Sequence, residues 1–167
     1  DPRRLGPARV QVQIAIGNLA DQHGLNKAVR GVETVIHLAA ATRDQGRGSI
    51  ERINGVGTAR LVWAARRAGV RRFVYVSALG ASLNSPSRFI RTQSLARDAV
   101  ADAGFESLIF ESSVIYSPHD RWIGLLRNLS HLPVVPLPGS GRARLQPIWA
   151  DDLARATVAA LLRAKPN

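Results

Sequence analysis

The chain has 167 residues, 46% of them apolar, enough for a single domain with a real hydrophobic core, and no apolar run approaches the length of a membrane span. It contains no cysteine, which excludes disulfide and thiolate chemistry and is compatible with a reducing cytosol. The formal charge of +11 comes from scattered arginines, and only 5% of residues are aromatic, so solvated helix faces account for it better than a surface for nucleic acid or an acidic partner.

Asp1 to Pro7 reads as a loop punctuated by proline and glycine. Val10-Gln11-Val12-Gln13-Ile14-Ala15-Ile16 alternates apolar and polar residues, which predicts a strand with one buried face. Gly17-Asn18-Leu19-Ala20-Asp21 turns the chain, and a short helix follows from about Gln22 to Val29, with Asp21 as N-cap and Gly31 as its stop. Thr34 to Leu38 is a second strand running into Ala39-Ala40-Ala41, small residues that let a ligand approach the backbone. His37 lies within that strand, where a buried, hydrogen-bonded histidine is preferred over a catalytic one.

From about Ser49 to Ala68, Ile50, Ile53, Gly57, Leu61, Ala64, Ala65 and Ala68 recur at helical spacing. Asn54 falls on the same inward stripe, where its amide either ties loops together or faces a polar site. Gly69 ends this helix, and Phe73 to Ser77 returns as the central strand of a parallel sheet, its C-terminal end opening into a site. A helix over about Phe89 to Asp102 leads to a strand at Ser107 to Phe110 and then a loop from Glu111 to Pro118. Another helix spans about Arg121 to His131. Gly139 and Gly141 link no strand to a helix and read as a turn, not a phosphate loop. Asp151 and Asp152 open a final helix reaching about Arg163, where capping and dipole compensation are preferred over catalysis. The four histidines show no paired spacing, so no metal site is expected.

Several of these pieces, in this order, resemble the atypical and extended short-chain dehydrogenase/reductase superfamily, with its NAD-dependent epimerase/dehydratase-like members. They are Gly17-Asn18-Leu19-Ala20-Asp21, Val35 to Ala40, Asn54 with Gly57-Thr58, Val76 to Ala81, Arg91-Thr92, Ser113 to Tyr116 and Arg144-x-Gln146-Pro147. Within that superfamily the chain is most similar to the NAD(P)-binding group that includes the nucleotide-binding accessory subunit of respiratory complex I. The resemblance implies an α/β fold, a doubly wound parallel Rossmann-like sheet carrying NAD(P)(H) across the C-terminal ends of its strands. It implies one domain over 1–167 with a small substrate-side region at about 118–147. By family position Asn18 and Leu19 lie near the adenine, and Ala39, Ala40 and Ala41 line the adenosine side. Ser77, Ala78, Gln93, Ser112, Ser113, Val114 and Ile115 belong to the nicotinamide half, and Asn54 joins the cofactor-binding set.

Two departures from the family pattern bear on function. The family begins with a strand, a glycine-rich turn and a helix that receive the pyrophosphate, and no such glycine pattern occurs in this sequence. The expectation is an N-terminally incomplete chain lacking its first strand–helix–strand segment. The second departure lies in the proton relay. The family pairs a tyrosine with a lysine four residues later, whose charge lowers the phenol's pKa. Here those positions hold Phe89 and Gln93, leaving Ser77 at the family's serine position; Glu111-Ser112 replaces an Arg-Pro pair and Ser117 a glycine. Tyr116 is a substitute acid only if it is not a packing residue.

The leading expectation is an NAD(P)-binding protein with little or no catalysis, in a binding, assembly or accessory role. Its partners would be a dinucleotide, an unidentified small-molecule substrate and, by analogy with the complex I relative, a respiratory-type protein assembly; its place is the cytoplasm or the periphery of a membrane complex. The alternatives are an active reductase, epimerase or isomerase with a rearranged relay, and a basic interaction module.

Overall fold

Two short apolar runs separated by a helix form the centre of the fold. Strand β1 (Thr34–His37) lies parallel to β2 (Arg72–Ala78), with Val35 opposite Phe73 and His37 opposite Tyr75. Paired residues in a parallel ladder point to the same face, so Val35, His37, Phe73 and Tyr75 form one surface. The computed structural model describes residues 2–46, 48–118, 120–135, 140–142 and 144–163. They group into two compact units, Asp1–Ser77 with Ala81–Ile109, and Ala78–Gly80 with Phe110–Asn167.

In the first unit helix α1 (Gln22–Ala28) starts at Asp21, whose carboxylate accepts from the Gly24 N–H at 3.0 Å. A π-helical turn, Glu51–Val56, runs directly into α2 (Gly57–Arg67). Gly31 and Gly69 follow the two helices at φ of 71° and 75°, backbone that side-chain-bearing residues rarely adopt. Helix α3 (Arg88–Ala101) is capped by Ser87, and β3 (Glu106–Ser112) completes the sheet in the order β1-β2-β3. The core joins Val35, Phe73 and Tyr75 to Leu61, Val62 and Ala65 of α2 and to Ala96 and Val100 of α3. Phe73 is fully buried and stacks on Phe105 with ring centres 5.2 Å apart.

In the second unit β4 (Ile115–Tyr116) pairs in parallel with β5 (Ile148–Trp149), and the rings of Tyr116 and Trp149 meet edge to face at 5.2 Å. Helices α4 (Arg121–Leu129) and α5 (Ala150–Arg163) complete it, with Asp151 and Asp152 in the first turn of α5. No helix among the described residues is long and apolar enough to cross a membrane.

The structure corrects three expectations. Val10 to Ile16 is not a strand: Pro2–Gln11 coils as a 3-10 segment broken at Gly6, 13–18 has no regular structure, and Val10 and Ile16 are 90% and 93% exposed. Alternation alone does not make a strand, because its backbone groups need a neighbouring strand, and none pairs with this stretch among the described residues. The loop expected from Glu111 to Pro118 instead continues β3 to Ser112 and contains β4, a strand too short to leave a periodic signal. The helix expected over Ser49–Ala68 is present, but its first turns are π-helical and Ala68 is exposed. Of the predicted turn, Gly141 is at positive φ and Gly139 lies outside the described residues, as do His119 and the last four residues.

Phe73→Ala removes the residue that joins sheet, α2 and α3. It is expected to destabilise the protein by about 3–5 kcal/mol, read as a lowered midpoint in urea unfolding.

Candidate functional site

The C-terminal end of β1 is shaped by one buried amide. Asn54, in the π turn, is 1% exposed; its Oδ1 accepts from the Ala41 N–H at 2.7 Å. Its Nδ2 donates to the Ala41 carbonyl at 2.9 Å and to Thr92 Oγ1 at 3.2 Å. Asn54 therefore ties the Ala39-Ala40-Ala41 segment to α3, the loop-tying role of the two the sequence left open. A π turn adds one residue to the helical repeat and so re-aims the side chains within it.

The neighbouring Gly17–Asp21 turn is held against α2 by an absence of bulk. A Cβ on Gly57 would stand 2.8 Å from Leu19 Cβ, closer than carbon atoms approach. Asn18 Oδ1 accepts from the Ala20 N–H at 2.7 Å, fixing the turn. Between this turn and the end of β1 lies a cavity of about 510 Å³. Asn18, Leu19, Ala39 and Ala40, all expected on the adenosine side, line it together, joined by Leu38, Ile53, Gln45, Arg52 and Arg60. Its apolar walls and its donor groups fit the adenosine half of a dinucleotide, which would lie against Leu19, Ile53 and the alanines. Ala41 is buried behind this surface.

The positions expected to serve the nicotinamide half divide between the units. Ser77 is buried at the end of β2 in the first unit. Gln93, at the family's lysine position, is 1% exposed, and its Oε1 accepts from the Tyr75 hydroxyl at 2.5 Å. Burial holds the Tyr75 phenol well above its ordinary pKa, so it remains a donor. His37 stacks on Tyr75 with ring centres 5.5 Å apart and meets Thr58 Oγ1 through Nε2 at 2.9 Å. Desolvation lowers its pKa to about 4, so the imidazole is neutral at physiological pH, as its reading as a core histidine requires. Phe89 is half-buried and offers no hydroxyl.

Ala78, Ser112, Ser113, Val114 and Ile115 belong to the second unit. There the Leu79 N–H donates to the Ser112 carbonyl at 2.8 Å and the Ile148 N–H to the Val114 carbonyl at 2.8 Å. The Gln146 N–H reaches Ser113 Oγ at 3.4 Å, joining two segments singled out in the sequence.

Sequence reasoning missed Arg52 and Arg60, whose signal was two basic residues two helical turns apart beside the inward stripe. It also missed a latch on the segment bearing Gln45. The Arg88 guanidinium bonds both oxygens of Asp44, at 3.0 and 3.1 Å, and both of Glu51, at 2.7 Å each. Asp44 also accepts from the Ile50 N–H at 2.9 Å. Arg88 holds the Glu51 carboxyl down at about 2, and Arg88 followed by the Ile50 N–H holds Asp44 below the usual carboxylate range. Among the described residues no cluster of acidic or histidine side chains could hold a metal ion.

A parallel strand pair flanked by helices, with a nucleotide-sized pocket at the carboxyl end of a strand, defines a Rossmann-like α/β protein. The chain matches the NAD(P)H-binding family over residues 1–117 and belongs to it, and its cofactor class is that family's, NAD(P)(H). It is 30% identical to the mitochondrial NADH dehydrogenase (ubiquinone) 1 alpha subcomplex subunit 9 of Arabidopsis thaliana over 84% of this chain and 36% of that protein. It is 31% identical to the ceramide reductase of Caulobacter vibrioides over 90% of this chain and 47% of that protein. The chain thus spans less than half the length of either relative. Among solved structures, UDP-glucose 4-epimerase of Thermus thermophilus in complex with NAD superposes with a TM-score of 0.70 at 21% identity, covering 93% of this chain and 62% of that one. That likeness supports the fold.

Two predictions follow from the geometry. Asn54→Ala leaves the Ala41 N–H and carbonyl buried without partners and is expected to cost about 1–3 kcal/mol, read as a lowered melting temperature. The latch carboxylates have depressed pKa values, so their contribution is present above the unfolded-state pKa of about 4 and is lost as pH falls further. The Glu51 carboxyl carbon is therefore expected to titrate by NMR with a midpoint near 2 in wild type and clearly higher in Arg88→Ala, still held somewhat down by its own backbone N–H and by Ser49.

Proposed function

We propose that this chain is a single NAD(P)-binding domain of the atypical short-chain dehydrogenase/reductase type, with a substrate-side region at about 118–147 and little or no catalysis of its own. It serves a binding or accessory role, in the cytoplasm or at the periphery of a membrane complex. The observation that carries this reading is Gln93: at the family's lysine position stands a neutral amide, buried and hydrogen-bonded by the Tyr75 hydroxyl. A bound nicotinamide cofactor supplies hydride transfer, and the reaction then needs a group to give or take the substrate's proton. Phe89 has no hydroxyl, and neither Gln93 nor the neutral His37 supplies the positive charge that would lower a phenol's pKa. What remains is binding. Leu19, Ala39, Ala40 and Ile53 offer an apolar wall for the adenine, and Asn54 keeps that wall in place. The similarity to a subunit of NADH dehydrogenase supports a protein assembly as partner.

A second reading, an active reductase with a rearranged relay, is favoured by the similarity to a ceramide reductase. In it a hydroxyl, that of Ser77 or that of Tyr116, would carry the proton.

Fluorescence titration of the protein with NADPH and NADH is expected to saturate at micromolar concentration, with no oxidation of either when carbonyl substrates are added. Absence of saturable binding overturns the proposal. Turnover that collapses in Ser77→Ala or Tyr116→Phe replaces it with the second reading.

A further inference from the structure

The segment between β1 and the π turn supplies one wall residue of the cavity, Gln45. It closes on itself twice. The backbone N–H groups of Gln45 and Gly48 each donate to the other's carbonyl at 3.0 Å, and Asp44 accepts from the Ile50 N–H at 2.9 Å. Among the described residues, only the bonds from Arg88 to Asp44 join this segment to an element distant in sequence. Arg88 is the first residue of α3, and its pairing with Glu51 is the outer of two ties between α3 and the π turn. The inner tie is buried, Asn54 Nδ2 to Thr92 Oγ1 at 3.2 Å. Arg88 and Thr92 are four residues apart, so the two ties leave one side of α3 on successive turns. The inner tie already holds the π turn to α3. What Arg88 alone adds is a hold on Asp44, and through it on the neighbouring Gln45.

We propose that Arg88, which does not line the cavity, is a positioning residue for it: by holding Asp44 it keeps Gln45 at the wall and slows the release of bound nucleotide. The inference rests on the dinucleotide-binding reading and deepens it. A wall that is already ordered has less freedom left to lose when a ligand binds, so the complex lasts longer. The guanidinium suits this task because its donors lie in a fixed plane and serve two carboxylates at once, which the single ammonium of a lysine does less well. Arg88, Asp44 and Glu51 are each about half exposed, so their pairs contribute little to overall stability and are weakened by salt. The latch thus acts on the site more than on the fold.

Stopped-flow fluorescence with NADH measures association and release separately. Arg88→Ala is expected to speed release about fivefold and to leave association within about twofold of wild type. Arg88→Lys is expected to recover only part of the loss. Asp44→Asn is expected to speed release in the same direction, and the double variant no more than Arg88→Ala alone, because both substitutions break one link. Arg71→Ala is the control: it opens a comparable exposed ion cluster, with Glu33 and Glu106 at the N-terminal end of β2, and is expected to leave release unchanged. If Arg88→Ala releases NADH at the wild-type rate, the proposal is overturned and the dinucleotide reading stands. If Arg71→Ala speeds release equally, general loosening is being read and the proposal is likewise overturned. If NADH shows no saturable binding to wild type, the dinucleotide reading falls and takes the proposal with it.

Discussion

A primary amide removed from water needs partners for both its ends, and the fold supplies them for Asn54. Its oxygen and nitrogen grip both backbone groups of Ala41, and the nitrogen also reaches Thr92 on α3. One side chain thereby sets the distance between the π turn, the end of β1 and the start of α3. The cavity walls inherit their position from it, since Ala39 and Ala40 immediately precede the clamped residue. On the other side the Gly57–Leu19 approach does the same work through shape. A polar clamp and a steric one hold opposite walls of a single pocket.

Charge and burial are cleanly divided in the first unit. Beneath the site, His37, Thr58, Tyr75 and Gln93 form a buried polar group without net charge, each engaged by a hydrogen bond or ring contact. Burial favours the neutral forms of both His37 and Tyr75, so the arrangement is the one desolvation selects. Ionised groups stay outside that buried set: Arg88 joins two exposed carboxylates, and Arg52 and Arg60 line the cavity. Such exposed ion pairs contribute modestly to stability and mainly fix the geometry of the segment they join.

The elements legible in the sequence were those whose residues are buried on a regular period. β1, β2, α1, α2 and α3 announced themselves through Val35, the Phe73–Ser77 run and the Leu61–Ala65 stripe, and through stops at Gly31 and Gly69. Val10 to Ile16 misled because alternation records a face that could be buried, and says nothing about whether a pairing strand is present. β4 and β5 were invisible because two residues make no period. Within the site, Asn18, Leu19, Ala39 and Ala40 were placed by family resemblance, and the structure does bring them together around one cavity. Arg52 and Arg60 escaped notice in a sequence with 23 basic residues, where an arginine carries little information until its neighbours are known.

The Tyr75–Gln93 hydrogen bond has a consequence for what position 93 can hold. A lysine introduced at 93 alone would place an ammonium at a position now 1% exposed, beside a phenol held protonated. That step carries a desolvation penalty and yields no relay while Phe89 lacks a hydroxyl. A tyrosine introduced at 89 alone would equally lack its cation. A tyrosine–lysine pair at these positions therefore needs both substitutions together. The packing around position 93 thus suits a neutral amide whose oxygen accepts from the Tyr75 hydroxyl, and it disfavours a cation there.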